Sequence, residues 1–382
     1  MQLFSIAAFA ALSAFILYTV AGYPLLLGWL ARCRARPVQK RFEARTVSFV
    51  IAVYNGANFL AAKLRSILDL DYPRELMEVV VVSDASTDAT DDIARSFSSE
   101  GVKLIRVPRG GKPAALIVAV PRTSGEILVL TDVRQTLERE SLQRLIACFG
   151  DPEVGVVSGD MAVRPGNIEE TNVGLYWRYE RWIRKQLSRV DSMMGATGPF
   201  YAIRRELFRP MPKELLLDDM FVPLNAFFQG YRLIVEEDAR AFDYPTGVET
   251  EFWRKVRTLA GNYRLLRYLP ELLSFRNRML FHYVSYKVAR LLLPWAVLGV
   301  LMASFGLPRP WREAALAAQA LFYGLALTDL MAGPGTLWKR LSSPARTVVS
   351  MLAATACAVA VFFVPAQKLW KPTQIPVTPK GP

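Results

Sequence analysis

From Leu3 to Leu30 the chain carries no charged side chain. A run of that kind is long enough to span a bilayer with some tilt. A cleaved secretory leader would open on a basic residue and end a shorter apolar core at a small-residue cleavage site. Met1-Gln2 offers no positive side chain, so residues 1–31 are expected to be a membrane anchor. Arg32, Arg34, Arg36, Lys40, Arg41 and Arg45 follow at once. The positive-inside rule places that side, and what comes next, in the cytoplasm. Three more apolar runs close the chain, about Leu291 to Leu307, Ala314 to Met331 and Val348 to Val364. Each is near the lower length limit for a span, giving a C-terminal transmembrane region over 289–366. Lys339, Arg340 and Arg346 would then be cytoplasmic. Lys368 and Lys371 in the tail 367–382 would fall outside, against the charge rule, unless one run is re-entrant. Leu265 to Tyr286 carries charges too often for a span, and 261–288 is expected to be an interfacial amphipathic segment.

The length of 382 residues leaves room for roughly two domains. The 52% hydrophobic content fits a water-soluble domain joined to membrane segments. The formal net charge of +13 suits an anionic membrane surface, a phosphorylated substrate or a nucleic acid. Nucleic acid is disfavoured, because the basic residues are scattered and no recognised binding module is present. Cys33, Cys148 and Cys357 are far apart and offer neither zinc spacing nor a disulfide framework. His282 is the only histidine, which argues against chemistry built on a Ser-His pair or a His-rich metal site. Carboxylates, Lys and Arg must carry the chemistry.

Between Thr46 and about Val235 strands and helices alternate. Val47 to Val53, Glu78 to Val82, Val102 to Val107, Ile127 to Leu130 and Val154 to Val157 are short apolar runs rich in β-branched residues. Helical patterns separate them, as at Leu60, Leu64, Ile67 and Leu68. That order predicts an α/β domain with a mainly parallel sheet. Such sheets bind ligands at the carboxyl ends of their strands. Polar clusters stand there: Tyr54-Asn55, Asp84 and Asp132. Glu169 to Val190, rich in Arg and aromatics, is expected to be a helix facing lipid headgroups or substrate.

Several short motifs carry candidate chemistry. Asp84-x-Ser86-x-Asp88 lies on a strand-to-helix turn, where the carboxylates can accept bonds from a ligand or cap the next helix. Gly110-Gly111-Lys112 combines close backbone approach with a lysine at a helix start, which suits a phosphate. It lacks the spacing of a P-loop. Asp132 can bind a divalent cation that holds a diphosphate, although the residue two positions on is Arg134 rather than a second acid. Asp218 and Asp219 follow an apolar run and precede an apolar helical pattern (Phe221, Leu224, Phe227, Phe228). A carboxylate at the mouth of an apolar pocket becomes a better base; the alternative is a helix N-cap. Arg254, Lys255 and Arg257 can neutralise a diphosphate leaving group or touch anionic lipid.

The ordered set resembles the family-2 glycosyltransferases of the membrane-bound, processive kind, the cellulose and hyaluronan synthase relatives. It consists of Val50 to Asn55, Val81 to Asp88, Gly110 to Lys112, Thr131-Asp132, Gly195 to Arg204, Leu217 to Asp219 and Arg254 to Arg257. The resemblance implies a GT-A, Rossmann-like domain over about 46–260 that binds a nucleotide-diphosphate sugar. By it, Tyr54, Asn55 and Asp84 hold the nucleoside, Lys112 supports the nucleotide, and Asp132 helps hold a Mg²⁺ or Mn²⁺ on the diphosphate. Asp218 belongs to the same acidic motif, and Asp219 is the general base for an acceptor hydroxyl, with inversion at the anomeric carbon. Arg254 or Arg257 steadies the leaving diphosphate.

Two departures narrow that expectation. Arg134 replaces the family's second metal-site acid, so its guanidinium can supply part of the charge a metal supplies. The family's Gln-x-x-Arg-Trp appears as Arg254-Lys-Val-Arg257-Thr258, which keeps the Arg and loses the Trp that stacks on a growing glycan. The leading expectation is transfer of a UDP-activated sugar to a polysaccharide or other glycan at a bacterial plasma membrane. Single transfer to a lipid carrier or glycolipid is the alternative. A non-catalytic nucleotide-sensing scaffold of a synthase complex is a third. Membrane lipids, and other subunits of a synthase or export assembly, are the expected neighbours.

Overall fold

The computed structural model describes residues 1–163, 173–243, 248–333 and 335–364. The tail 367–382 and the start of the helix expected from Glu169 lie outside the described residues. The chain forms two compact units. One comprises Arg34–Pro165 and Arg184–Pro245; the other comprises Met1–Cys33, Gly166–Ile183 and Thr246–Pro382.

The first unit is built on one eight-stranded sheet. Its strands are β1 (Val47–Val53), β2 (Met77–Asp84), β3 (Val102–Val107), β4 (Ile127–Thr131), β5 (Thr136–Leu137), β6 (Val154–Val163), β7 (Phe200–Arg204) and β8 (Arg232–Asp243). They lie in the order β3-β2-β1-β4-β7-β6-β8-β5. β3, β2, β1 and β4 are parallel neighbours. In β2, β1 and β4 the Val, Ile and Leu residues are buried on both faces, which is why these strands read as near-continuous apolar runs, whereas Leu104 and Ile105 of the edge strand β3 are half-buried. Helices Ala57–Leu68, Thr90–Ser96 and Gly111–Ala119 make the three crossovers. In the first, Leu60, Leu64 and Ile67 recur at helical spacing and are fully buried against the sheet.

The other half holds the antiparallel pairings of this mainly parallel sheet. β7 is inserted antiparallel between β4 and β6, and β5 is antiparallel to β8, while β6 and β8 are parallel. Four of the seven pairings are parallel, so the sheet is mixed. The basic run after the anchor is mostly paired within this unit. Arg36 bridges Asp191 at 2.5 Å and Glu153 at 2.8 Å, and Lys40 meets Glu236 at 2.5 Å.

Among the described residues the second unit holds four helices long and apolar enough to cross a membrane: Gln2–Cys33, Leu280–Ser304, Trp311–Met331 and Leu337–Phe362. The expected interfacial segment 261–288 is divided among the end of one helix, the short turn Pro270–Leu273 and the start of another helix. Its beginning completes the helix Val248–Tyr268, and Leu280 already opens a candidate span. The last span also starts earlier than its apolar run and takes in Lys339, Arg340 and Arg346. Lys339 and Arg346 each lie 3.0 Å from the buried Asp329 carboxylate, which satisfies their charge. The first helix packs on Ala289–Ser304 at Gly299, where a Cβ would stand 2.6 Å from Leu12. Small residues allow this kind of close approach between membrane helices.

Candidate active site

Because β1 to β4 run parallel, the loops that leave their carboxyl ends share one edge of the sheet. Tyr54 and Asn55 follow β1, Asp84 ends β2, Gly110 to Lys112 follow β3, and Asp132 follows β4. The sharp turns are visible in the backbone. Asn55 and Ala85 adopt φ values of 50° and 56°, in the left-handed region that side chains seldom occupy. The two turns tie to each other. The Asn55 amide donates to Ser86 Oγ at 3.1 Å, and its side-chain oxygen accepts the Thr87 amide at 2.8 Å.

Asp84 is turned inward, with 2% exposure. Its carboxylate accepts the Gly110 amide at 2.7 Å and the Gly111 amide at 2.9 Å, and pairs with Arg109. The acid that ends β2 therefore shapes the glycine turn after β3. The Arg109 guanidinium lies 3.7 Å above the ring of the exposed Tyr54. Arg109 escaped the sequence analysis because nothing in its neighbourhood distinguishes it from a surface arginine.

The turn that Asp84 holds presents Lys112. Its ammonium meets Asp132 Oδ1 at 2.8 Å and Asp218 Oδ2 at 3.0 Å. Burial alone would lower this lysine, but the two carboxylates hold it well above the ordinary value. Residues from three distant stretches thus converge on one cation. Asp218 and Asp219 form the first turn of the helix Asp218–Phe228, whose cap position is Leu217, so neither acid is the N-cap. Carboxylates there interact favourably with the helix dipole. Asp219 packs against Gly198: a Cβ on Gly198 would lie 2.9 Å from Asp219 Oδ2. The Asp219 carbonyl accepts the Ala196 amide at 2.8 Å, which fastens the Gly195 to Gly198 stretch to the acid pair.

Tyr201 on β7 is fully buried, and its hydroxyl has no hydrogen-bond partner. Burial, and then the charge of Asp218, push its phenol well above the usual value. Lys63 is the other buried group beside the site. It donates to Thr131 Oγ1 and to the Gln135 carbonyl, and burial lowers it to about 7 against the pull of Asp132. Arg134 turns from the cluster to Asp243, at 2.5 Å. Arg254 and Arg257 belong to the other unit, on the helix Val248–Tyr268, where Arg254 meets Glu251 at 3.1 Å.

Asp132, the expected metal ligand, pairs with Lys112 at 2.8 Å. Arg134 is already paired, and among the described residues no three His, Cys, Asp or Glu side chains form a metal-holding group. The donor set suits an ion with one protein carboxylate and the rest of its shell from phosphate and water, as is common for Mg²⁺. It does not make an all-protein cage.

The mixed α/β sheet thus gathers its polar loops on one edge, around the pair Asp218-Asp219. Residues 48–211 match the family model described as Glycosyl transferase family 2. It is 24% identical to the probable glycosyltransferase YdaM of Bacillus subtilis over 263 residues, which are 63% of this chain and 61% of that protein. It is 27% identical to an N-acetylglucosaminyltransferase of Rhizobium meliloti over 287 residues, 69% of this chain and 66% of that one. The match thus spans less than two thirds of either relative's length. A solved structure, the mannosyltransferase PcManGT from Pyrobaculum calidifontis in complex with GDP-Man and Mn²⁺, has a TM-score of 0.72 at 24% identity. That alignment covers 93% of this chain and 99% of PcManGT, and it establishes the GT-A fold.

Proposed function

We propose that the protein is an inverting glycosyltransferase that moves a sugar from a nucleotide-diphosphate donor to a hydroxyl acceptor at a membrane. The observation that carries this reading is the convergence of Lys112, Asp132 and Asp218 within 3.0 Å, with Asp219 as the next residue. Tyr54 and Asn55 flank the nucleoside, and Asp84 acts through the glycine turn it holds. Lys112 supports the diphosphate from the turn that Asp84 holds. A Mg²⁺ or Mn²⁺ bound at Asp132 would neutralise developing charge on the diphosphate. Asp219 takes the proton of the acceptor hydroxyl as its oxygen bonds to the anomeric carbon. The bond from that carbon to the diphosphate oxygen breaks on the opposite face. The names of the relatives support sugar transfer, and the four apolar helices support an acceptor that is membrane-associated, either a growing glycan or a lipid-linked one.

The test is nucleotide release by detergent-solubilised protein offered a panel of UDP- and GDP-sugars with Mg²⁺ or Mn²⁺. Wild type is expected to release nucleotide with one donor. Asp219→Asn is expected to lose about 10²–10⁴-fold in turnover, the usual worth of a general base. Turnover that survives in Asp219→Asn would remove that residue from the role. Product length on the active donor then separates single transfer from chain extension.

A further inference from the structure

Lys63 occupies the helix Ala57–Leu68 among the core residues Leu60, Leu64 and Ile67, with no exposed surface. A lysine is rarely buried this fully, because removing its charge from water is costly. A leucine or methionine would fill the same space at lower cost. The ammonium does not answer a buried carboxylate by direct contact. It donates to Thr131 Oγ1 at 2.7 Å and to the Gln135 carbonyl at 2.6 Å. These two acceptors bracket the turn that carries Asp132 and Arg134.

Thr131 extends the connection. Its hydroxyl donates to the Pro199 carbonyl at 2.6 Å, and the same carbonyl accepts the Asp132 amide at 3.2 Å. Pro199 follows Gly198, the residue against which the Asp219 carboxylate packs. One buried amine therefore holds both ends of the Asp132 turn and, through Thr131 and Pro199, reaches the backbone beside Asp219.

We propose that Lys63 is a positioning residue for the diphosphate end of the donor site, fixing the Thr131 to Gln135 turn so that Asp132 faces Lys112 and Asp218. The proposal rests on the reading that Asp132 works at the donor diphosphate. A lysine that only supported the core would affect stability and leave nucleotide selectivity alone. Calorimetric titration of the full-length protein in detergent, with UDP and GDP against UMP and GMP, separates the two roles. Lys63→Met is expected to bind the preferred nucleoside diphosphate about tenfold more weakly, while its affinity for the matching monophosphate stays within about twofold. Thr131→Val, which removes the shared hydroxyl and keeps the lysine, is expected to show a smaller loss with the same selectivity. Equal losses for diphosphate and monophosphate, or none, overturn the proposal. If Lys63→Met does not fold, an unchanged diphosphate-to-monophosphate ratio in Thr131→Val overturns it. Wild-type protein that binds neither diphosphate overturns the donor-site reading itself, and Lys63 loses its role with it.

Discussion

At the scale of single residues, the site depends on short approaches that side-chain identity alone does not reveal. Gly198 is one. Its φ lies outside the left-handed region, so the backbone accepts an alanine there, but the added carbon would stand 2.9 Å from Asp219 Oδ2 and the carboxylate would have to rotate. Gly198→Ala is expected to keep its melting temperature and to lose about ten- to a hundredfold in kcat, the scale of a misplaced reacting group. Steady-state kinetics alongside a thermal melt checks this; a normal kcat would separate Gly198 from the chemistry. Lys112 is the second case. Lys112→Met leaves Asp132 and Asp218 without the ammonium that joins them. It is expected to cost about 1–3 kcal/mol of stability, the worth of hydrogen bonds to a charged group, and to weaken nucleoside diphosphate binding. Asp84, Asp132, Asp218, Asp219 and Lys112 were all legible as chemical residues from their places after apolar runs. Their partners were not. Asp84 was open to two readings, a ligand acceptor or a cap for the next helix, and the fold shows it holding Gly110 and Gly111.

At the scale of elements, polar side chains join strands and helices whose apolar patterns alone leave register undefined. Glu78 at the start of β2 accepts from Ser48 on β1 at 2.6 Å and from Lys103 on β3 at 2.7 Å. Burial would raise its carboxyl, but the Lys103 ammonium and the Ser48 hydroxyl hold it down to about 2. Its native pKa lies below the unfolded value, so this stabilisation is complete above about pH 4.5 and fades as pH falls toward 2. Wild type is expected to lose stability over that window, and Glu78→Gln to show a shallower acid dependence by chemical denaturation. A matching slope in the two proteins would remove Glu78 from the account. In the membrane unit, Asp329 receives Ser342 at 2.7 Å together with Lys339 and Arg346, so it joins the helices Trp311–Met331 and Leu337–Phe362. Asp329→Leu leaves two cations without their acid and is expected to lower stability in detergent by about 1–3 kcal/mol. β1, β2, β3, β4 and β6 could be read from their apolar runs. β7 and β8 could not: Phe200–Arg204 follows a glycine-rich stretch, and Arg232–Asp243 interleaves acids and arginines with its buried residues.

At the scale of the whole molecule, the described residues include four helices of membrane-spanning length and apolarity as well as a sheet-based domain, in a chain of basic balance. The protein is expected to remain in the membrane pellet through high-salt and alkaline washes and to leave it only with detergent, because apolar burial in lipid resists both. Release by salt alone would reduce the attachment to a peripheral one. The sequence by itself determined the apolar spans, the parallel strands and the polar residues at their carboxyl ends, because each depends on local periodicity and on the cost of placing charge in an apolar setting. Only the tertiary structure decided which of those residues meet. The insertion of β7 between β4 and β6 places Pro199 against Thr131 and Asp132, Gly198 against Asp219, and lets Asp218 reach Lys112. Those contacts arise from strand order, a property of long-range pairing that no local pattern encodes, and the buried Lys63 has meaning only once they exist.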